Sequence, residues 1–145
     1  MILKLSSLIA FGVAIIGLLF LVHHQHIISD NPVVIIIQIS SFGLMIWARI
    51  IFGARSFHAT ANTTKGKLVT NGPYKYFRHP IYAAVIFLFS ASLIAFPFKE
   101  TVVGVFLIIA GLFVRLLLEE KSLNETYEEY ESYSKRTKRL IPFIF

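Results

Sequence analysis

Two polar clusters interrupt an apolar chain, and both carry residue types that do chemistry. The first is Arg78-His79-Pro80, inside the segment Gly72–Tyr82, GPYKYFRHPIY. Proline suits the first turn of a helix, where its missing N–H costs nothing. The residue before it is pushed toward extended backbone. A helix should therefore begin at Pro80, with His79 capping it and Arg78 just outside. Free N–H groups, the positive end of the helix dipole and a guanidinium would then meet at one spot, an arrangement suited to an anion. The plainer alternative makes Arg78 a membrane-surface anchor and His79 an ordinary interfacial side chain. Tyr74, Tyr76, Phe77 and Tyr82 surround the cluster. Such rings either form an interfacial belt or wall a pocket for a flat ring or a cation, which ring faces attract within about 6 Å.

The second cluster is Arg115, Glu119 and Glu120, near the end of a long apolar run. A charge at the bilayer centre costs roughly 2.5–3.5 kcal/mol on insertion scales, so such residues are paired or functional. Glu119 follows Arg115 by four residues and shares its helix face, so the two can pair directly. Snorkelling of Arg115 toward the interface is the alternative. Leu123, Tyr127 and Tyr130 continue the face at helical spacing as packing residues. Arg49, late in another apolar run, is explained by snorkelling. His23, His24 and His26 resemble a metal tract, but their one nearby carboxylate is Asp30, and no metal site is expected.

The elements that position these clusters follow from composition. The 145 residues are 56% hydrophobic and 15% charged, with a mean hydropathy of +0.71, far from soluble norms. Cysteine is absent, which excludes disulfides, thiolate catalysis and cysteine-ligated metals. Nucleotide-binding glycine loops, HExxH and GxSxG patterns are also missing. The net charge of +6 does not point to nucleic acid, because the basic residues cluster between and after apolar runs. Four stretches approach the roughly 20 residues a spanning helix needs: about Leu5–Val22, Val33–Gly53, Ile81–Phe98 and Thr101–Leu118. The first exceeds a signal-peptide core and lacks a small-x-small cleavage pattern, so it reads as a retained span.

Arg55, Lys65, Lys67, Lys75 and Arg78 lie between the second and third stretches. Lys121, Lys135, Arg136, Lys138 and Arg139 follow the fourth, while the two other connections hold Lys99 alone. The positive-inside rule then puts both termini and the middle loop in the cytoplasm. The expected fold is all-α: a polytopic membrane bundle of about four transmembrane helices, the last two forming a tight hairpin. Residues 1–53 hold the first two spans, 54–80 a cytoplasmic loop, 81–118 the hairpin and 119–145 a cytoplasmic tail. That tail reads as a helix from Glu119 to Tyr133, broken before Leu140-Ile141-Pro142-Phe143.

The segment from Lys67 to Tyr74, KLVTNGPY, followed by Arg78-His79-Pro80-Ile81-Tyr82, resembles the signature of the isoprenylcysteine carboxyl methyltransferase family, grouped with phospholipid methyltransferases. Glu119-Glu120-Lys121-Ser122-Leu123, then Tyr127, Tyr130 and Leu140-Ile141-Pro142-Phe143, matches that family's C-terminal pattern. The resemblance covers about Trp47–Phe145. It implies an S-adenosylmethionine-dependent methyltransferase embedded in the membrane. Leu68, Val69 and Tyr74 would line the cofactor, and Arg78, His79, Pro80, Ile81 and Tyr82 would hold it at the start of the third span. Glu119 and Glu120 would bind it from the tail, and Arg115 with Glu119 would serve catalysis, Arg115 facing the substrate's polar group. The implied partners are the bilayer and a lipophilic or prenylated substrate, with a homodimer within reach of so small a unit. A carboxylate acceptor needs no base. An amine acceptor would need one, such as His79, Glu119 or Glu120, and the sequence holds candidates for both. Carboxyl O-methylation is favoured, with lipid-amine N-methylation, a nicotinamide-dependent sterol reductase and a non-enzymatic four-helix membrane protein as the alternatives.

Overall fold

The computed structural model describes residues 2–53 and 67–141, and these form an all-helical chain. Arg55, Lys65, Gly66, Pro142 and Phe143 lie outside the described residues. Helix α1 is Ile2–His23, α2 is Pro32–Phe52, α3 is Pro80–Ser90, α4 is Ser92–Ala95, α5 is Lys99–Thr126 and α6 is Tyr130–Arg136. A 3-10 turn over Gly72–Lys75 precedes α3. The start of α2 follows from local chemistry. Asn31 caps it, its side-chain oxygen accepting from the Val33 N–H at 3.0 Å, and Pro32 fills the first helical position.

Three helices, α1, α2 and α5, are long and apolar enough to cross a membrane. The third expected span differs. Its apolar helix covers Pro80–Ala95, about 24 Å at 1.5 Å per residue against a hydrocarbon core of about 30 Å. It also breaks between α3 and α4, where the Ala91 N–H is shared by the carbonyls of Phe87 and Phe89 and the turn tightens. The tail departs from expectation too. One helix to Tyr133 was expected, but α5 stops at Thr126, Tyr127 is extended, and α6 starts afresh at Tyr130. The break lets the tail fold back and bury Tyr130 and Tyr133.

Helix α5 packs chiefly on α1, and α3 chiefly on α2. The short Phe96–Phe98 turn thus joins helices whose main partners lie elsewhere. Apolar side chains gain little by leaving lipid, so membrane helices associate through close packing of small residues. Gly17 shows this: a Cβ there would stand 2.6 Å from the Gly104 carbonyl oxygen and 2.9 Å from the Ile108 nitrogen. Ala10 and Ala14 meet Gly111 in the same way, so the two helices run antiparallel. Leu21, Val105, Ile108 and Leu112 are buried beside this seam, with Val85, Ile86 and Phe89 of α3 packed against them.

At the far end the histidine tract serves packing. His26 Nδ1 lies 2.8 Å from Thr101 Oγ1, and its ring stacks on Phe96 at 5.0 Å. Gln38 Nε2 donates to the Ile27 carbonyl at 2.8 Å. Among the described residues, no group of three His, Asp or Glu could hold a metal. These contacts pin the α1–α2 connection to α2 and α5, leaving the opposite end of the helices to build the site.

Candidate functional site

The segment before α3 and the tail after α5 are far apart in sequence and joined in space. The Arg78 N–H donates to the Lys138 carbonyl at 2.7 Å, and the His79 N–H to the Arg139 carbonyl at 3.1 Å. The Lys138 N–H returns a bond to Tyr76 O at 3.3 Å, making a parallel bridge between Phe77 and Lys138. Tyr133 adds a side-chain tie, its hydroxyl donating to the Tyr74 carbonyl at 2.7 Å. Gly72 makes the approach to α2 feasible: its φ is +58°, and a Cβ there would stand 2.8 Å from the Ile51 side chain. Tyr74 is buried behind it, its ring 5.5 Å from Phe52.

A three-way ion lock fastens this junction. Arg78 Nε donates to Glu120 Oε1 at 2.8 Å, and Arg139 Nε to Glu120 Oε2 at 2.9 Å. Arg78 Nη1 donates to the carbonyls of Ser134 at 2.7 Å and Thr137 at 2.6 Å. The expected anion site at the α3 N-terminus is therefore changed. The Arg78 guanidinium is neutralised by Glu120, and the backbone N–H groups of Arg78 and His79 are spent on the tail. His79 stands at the cap position, but its side chain makes no capping bond. Its ring instead stacks with Tyr82 at 5.5 Å, and Nε2 stands 3.5 Å from Glu120 Oε1, within ion-pair distance.

Beside the lock runs a second chain of groups. Arg115 Nε donates to Tyr82 Oη at 2.8 Å, and Tyr82 Oη donates to Glu119 Oε2 at 2.7 Å. The expected direct pairing of Arg115 with Glu119 is replaced by this relay, because α3 inserts Tyr82 between them. The Arg115 guanidinium also lies over the Phe11 ring, 4.9 Å from its centroid. Arg115 is only 6% exposed although charged, and these partners are what make that burial tolerable.

Three tyrosines report on the polarity of the junction. Burial pushes the Tyr133 phenol up to about 12, against the lowering influence of Arg78. Burial, then the charge of Glu119, pushes Tyr74 well above the ordinary phenol range, with Arg49 opposing. Tyr130 is raised by burial and by the charge of Glu120. All three phenols stay neutral at physiological pH. Two buried polar atoms, His79 Nε2 and Tyr130 Oη, have no hydrogen-bond partner among the described residues. An orphaned buried polar atom costs about 1–3 kcal/mol, and His79 Nε2 has the Glu120 carboxylate 3.5 Å away as its nearest compensation.

The structure thus brings together Tyr74, Arg78, His79, Pro80, Ile81, Tyr82, Arg115, Glu119 and Glu120. Leu68 and Val69 are half-buried in the irregular segment leading to the 3-10 turn. Sequence reasoning missed the parts played by Arg139, Tyr133 and Phe11. Arg139 and Phe11 carry no local signal, since each acts through a distant partner. Tyr133 had one: it repeats Tyr130 at a three-residue helical spacing.

A membrane-embedded helical protein with a polar, partly unsatisfied site at one end of its helices is the class these observations define. The sequence model of the isoprenylcysteine carboxyl methyltransferase (ICMT) family matches residues 31–125, and the chain belongs to that family. It is accordingly a membrane methyltransferase. No curated protein and no solved structure matches the chain. The matched region holds α2, the motif before α3 and the helix carrying Arg115, Glu119 and Glu120. Helix α1, α6 and Arg139 lie outside it.

Proposed function

We propose that the protein transfers a methyl group from S-adenosylmethionine to the carboxylate of a lipophilic, isoprenylcysteine-like acceptor, on the cytoplasmic face of the membrane. The observation that carries this reading is the Arg115–Tyr82–Glu119 relay lying beside buried His79, whose Nε2 makes no hydrogen bond among the described residues. Members of the family generally use S-adenosylmethionine, and the residues present suit it. Glu119 offers a carboxylate to an amine or sulfonium, His79 Nε2 and Tyr130 Oη offer unspent polar atoms, and the stacked His79 and Tyr82 rings offer a flat surface. When bound, that cofactor supplies an electrophilic methyl group on a positively charged sulfur.

The chain's own residues then act by holding and orienting. Leu68, Val69, Tyr74, His79, Pro80, Ile81, Tyr82 and Glu119 form the cofactor side. Arg78 and Glu120, first read as cofactor ligands, act through the tail they lock in place. Arg115 orients the acceptor carboxylate, which already bears its lone pair and needs no base. The Tyr82 hydroxyl proton stays directed at Glu119, which keeps the Tyr82 oxygen turned to accept from Arg115. Rate enhancement then rests on positioning, worth up to roughly 7–11 kcal/mol in favourable cases, and on exclusion of water.

The test is tritiated-methyl transfer by the purified protein to matched panels of lipophilic acids and amines. A base-labile ester product supports the reading. A base-stable product means N-methylation of an amine, and no product with no S-adenosylmethionine binding overturns the enzyme assignment for this chain.

A further inference from the structure

The charges of the tail are sorted along it. Glu125, Glu128, Glu129 and Glu131 come first, and Lys135, Arg136, Lys138 and Arg139 follow. The two signs cancel over the stretch, so any pull on it by a charged surface depends on where each set stands. Glu119 meets Tyr82 in the first turn of α3, so α5 passes the start of α3 at that level. Its end at Thr126 is seven residues further out (126 − 119), about 10 Å at 1.5 Å per residue. The acidic residues gather around that outer turn. The chain then comes back. Lys138 forms the parallel bridge with Phe77, and the Arg139 carbonyl accepts from the His79 N–H, one residue before the apolar helix at Pro80 begins.

The basic set thus stands at the level where α3 enters the membrane, and the acidic set about 10 Å above it. The screening length at physiological ionic strength is about 8 Å, so lipid headgroup charge reaches the first set and is largely hidden from the second. Lys75, Lys135 and Lys138 are exposed around the bridge, as is Tyr76, a residue type that favours the membrane interface. Lys135 is held only by Glu131 in an exposed pair, a kind of contact worth little. Because the bridged segments run parallel, the apolar Leu140 and Ile141 follow in the direction of Pro80. Basic side chains at headgroup level with apolar ones next to them suit a chain lying in the interface. We propose that the returning tail docks on anionic lipid headgroups through Lys75, Lys135 and Lys138. The charge of the leaflet then holds from outside the junction that Glu120 holds from within.

The experiment follows amide hydrogen exchange at Arg78, His79 and Lys138, whose N–H groups make the bridge. The full chain is placed in nanodiscs of phosphatidylcholine alone or of phosphatidylcholine with one-third phosphatidylglycerol. A lysine near an anionic surface strengthens binding about fivefold, so these amides should exchange at least about fivefold more slowly in the anionic discs. The slowing should vanish at about 1 M salt, where the screening length falls to about 3 Å. It should also vanish in the double variant Lys75→Gln with Lys138→Gln, which should match wild type in phosphatidylcholine alone and so report its intact fold. Lys99→Gln, an exposed lysine at the opposite end of the helices, should keep the full slowing. Inorganic phosphate added to the phosphatidylcholine discs should give none. Equal exchange in the two lipids overturns the proposal, as does slowing that survives salt or the double substitution. Loss of the slowing in Lys99→Gln, or equal slowing by inorganic phosphate, overturns it as well. No cofactor or turnover enters the measurement, so its outcome is independent of the methyl-transfer reading.

Discussion

Glu119 and Glu120 are neighbours on α5, and their surroundings differ in kind. Both oxygens of Glu120 are held by cations, Arg78 on one and Arg139 on the other, with His79 close by. Glu119 has the neutral Tyr82 hydroxyl as its hydrogen-bond partner, and that hydroxyl answers to Arg115. The cause is geometric: successive helix residues point about 100° apart. One faces the returning tail and the other faces α3. A carboxylate bridged by two guanidinium groups has its charge already compensated. One that holds a single neutral donor still has charge to offer a cationic group. The same residue type thus builds a fastener at one position and leaves a less compensated carboxylate at the next.

The largest expected effect comes from breaking the fastener. Glu120→Ala leaves Arg78 buried without its carboxylate, and removal of one partner from a buried pair costs about 3–5 kcal/mol. The tail should then undock, and limited trypsin digestion should cleave near Arg136 and Lys138 in the variant before the wild type. Glu119→Gln should instead melt within about 1 kcal/mol of wild type, since Tyr82 keeps an oxygen to bond. It should nevertheless bind S-adenosylmethionine at least tenfold more weakly, the loss of a charge-assisted contact. Equal trypsin sensitivity of the two variants would erase the distinction between the carboxylates.

Away from the site, Gly17→Val forces side-chain atoms into α5 backbone at Gly104 and Ile108, and overpacking of this kind costs typically about 1–3 kcal/mol. Thermal unfolding in detergent should show the loss, with trypsin protection of the tail retained at low temperature. Tyr133→Phe removes the bond to the Tyr74 carbonyl and should cost about 0.5–1.5 kcal/mol, weakening the tail without touching Glu119.

A further effect is with pH. The folded-state Tyr133 phenol is raised to about 12, from an unfolded value near 10. Its contribution is fully present below pH 10 and is lost as pH rises through about 12. Tyr74 and Tyr130 are raised in the same direction. Melting temperature should therefore hold level up to pH 10 and fall above it, and Tyr133→Phe should blunt the fall.

Much of this was legible in the chain. Pro80 announced the start of α3, and the placement of Lys and Arg put the loop and tail on one face before any contact was known. Runs of apolar residues located α1, α2 and the start of α5 within a few positions. What sequence could not give was which charge meets which. Arg115 and Glu119 have the right spacing to pair, yet a third helix places Tyr82 between them. Arg78 at a helix start looks like an anion binder until a tail residue 61 positions later (139 − 78) arrives to share its carboxylate. The break at Tyr127 was hidden as well, because Glu-rich sequence runs on both sides of it and burial of Tyr130 and Tyr133 against the loop favours interruption.

The central claim is that the loop before α3 and the tail after α5 make one cofactor site, fastened by Glu120 and served by Glu119. Isothermal titration of S-adenosylmethionine into the purified full chain, wild type beside Glu119→Gln, tests it most directly when paired with trypsin protection of the same samples. The account predicts binding to wild type and at least tenfold weaker binding to Glu119→Gln, with the tail equally protected in both. Wild-type affinity in Glu119→Gln, or no binding to a folded wild type, would contradict it.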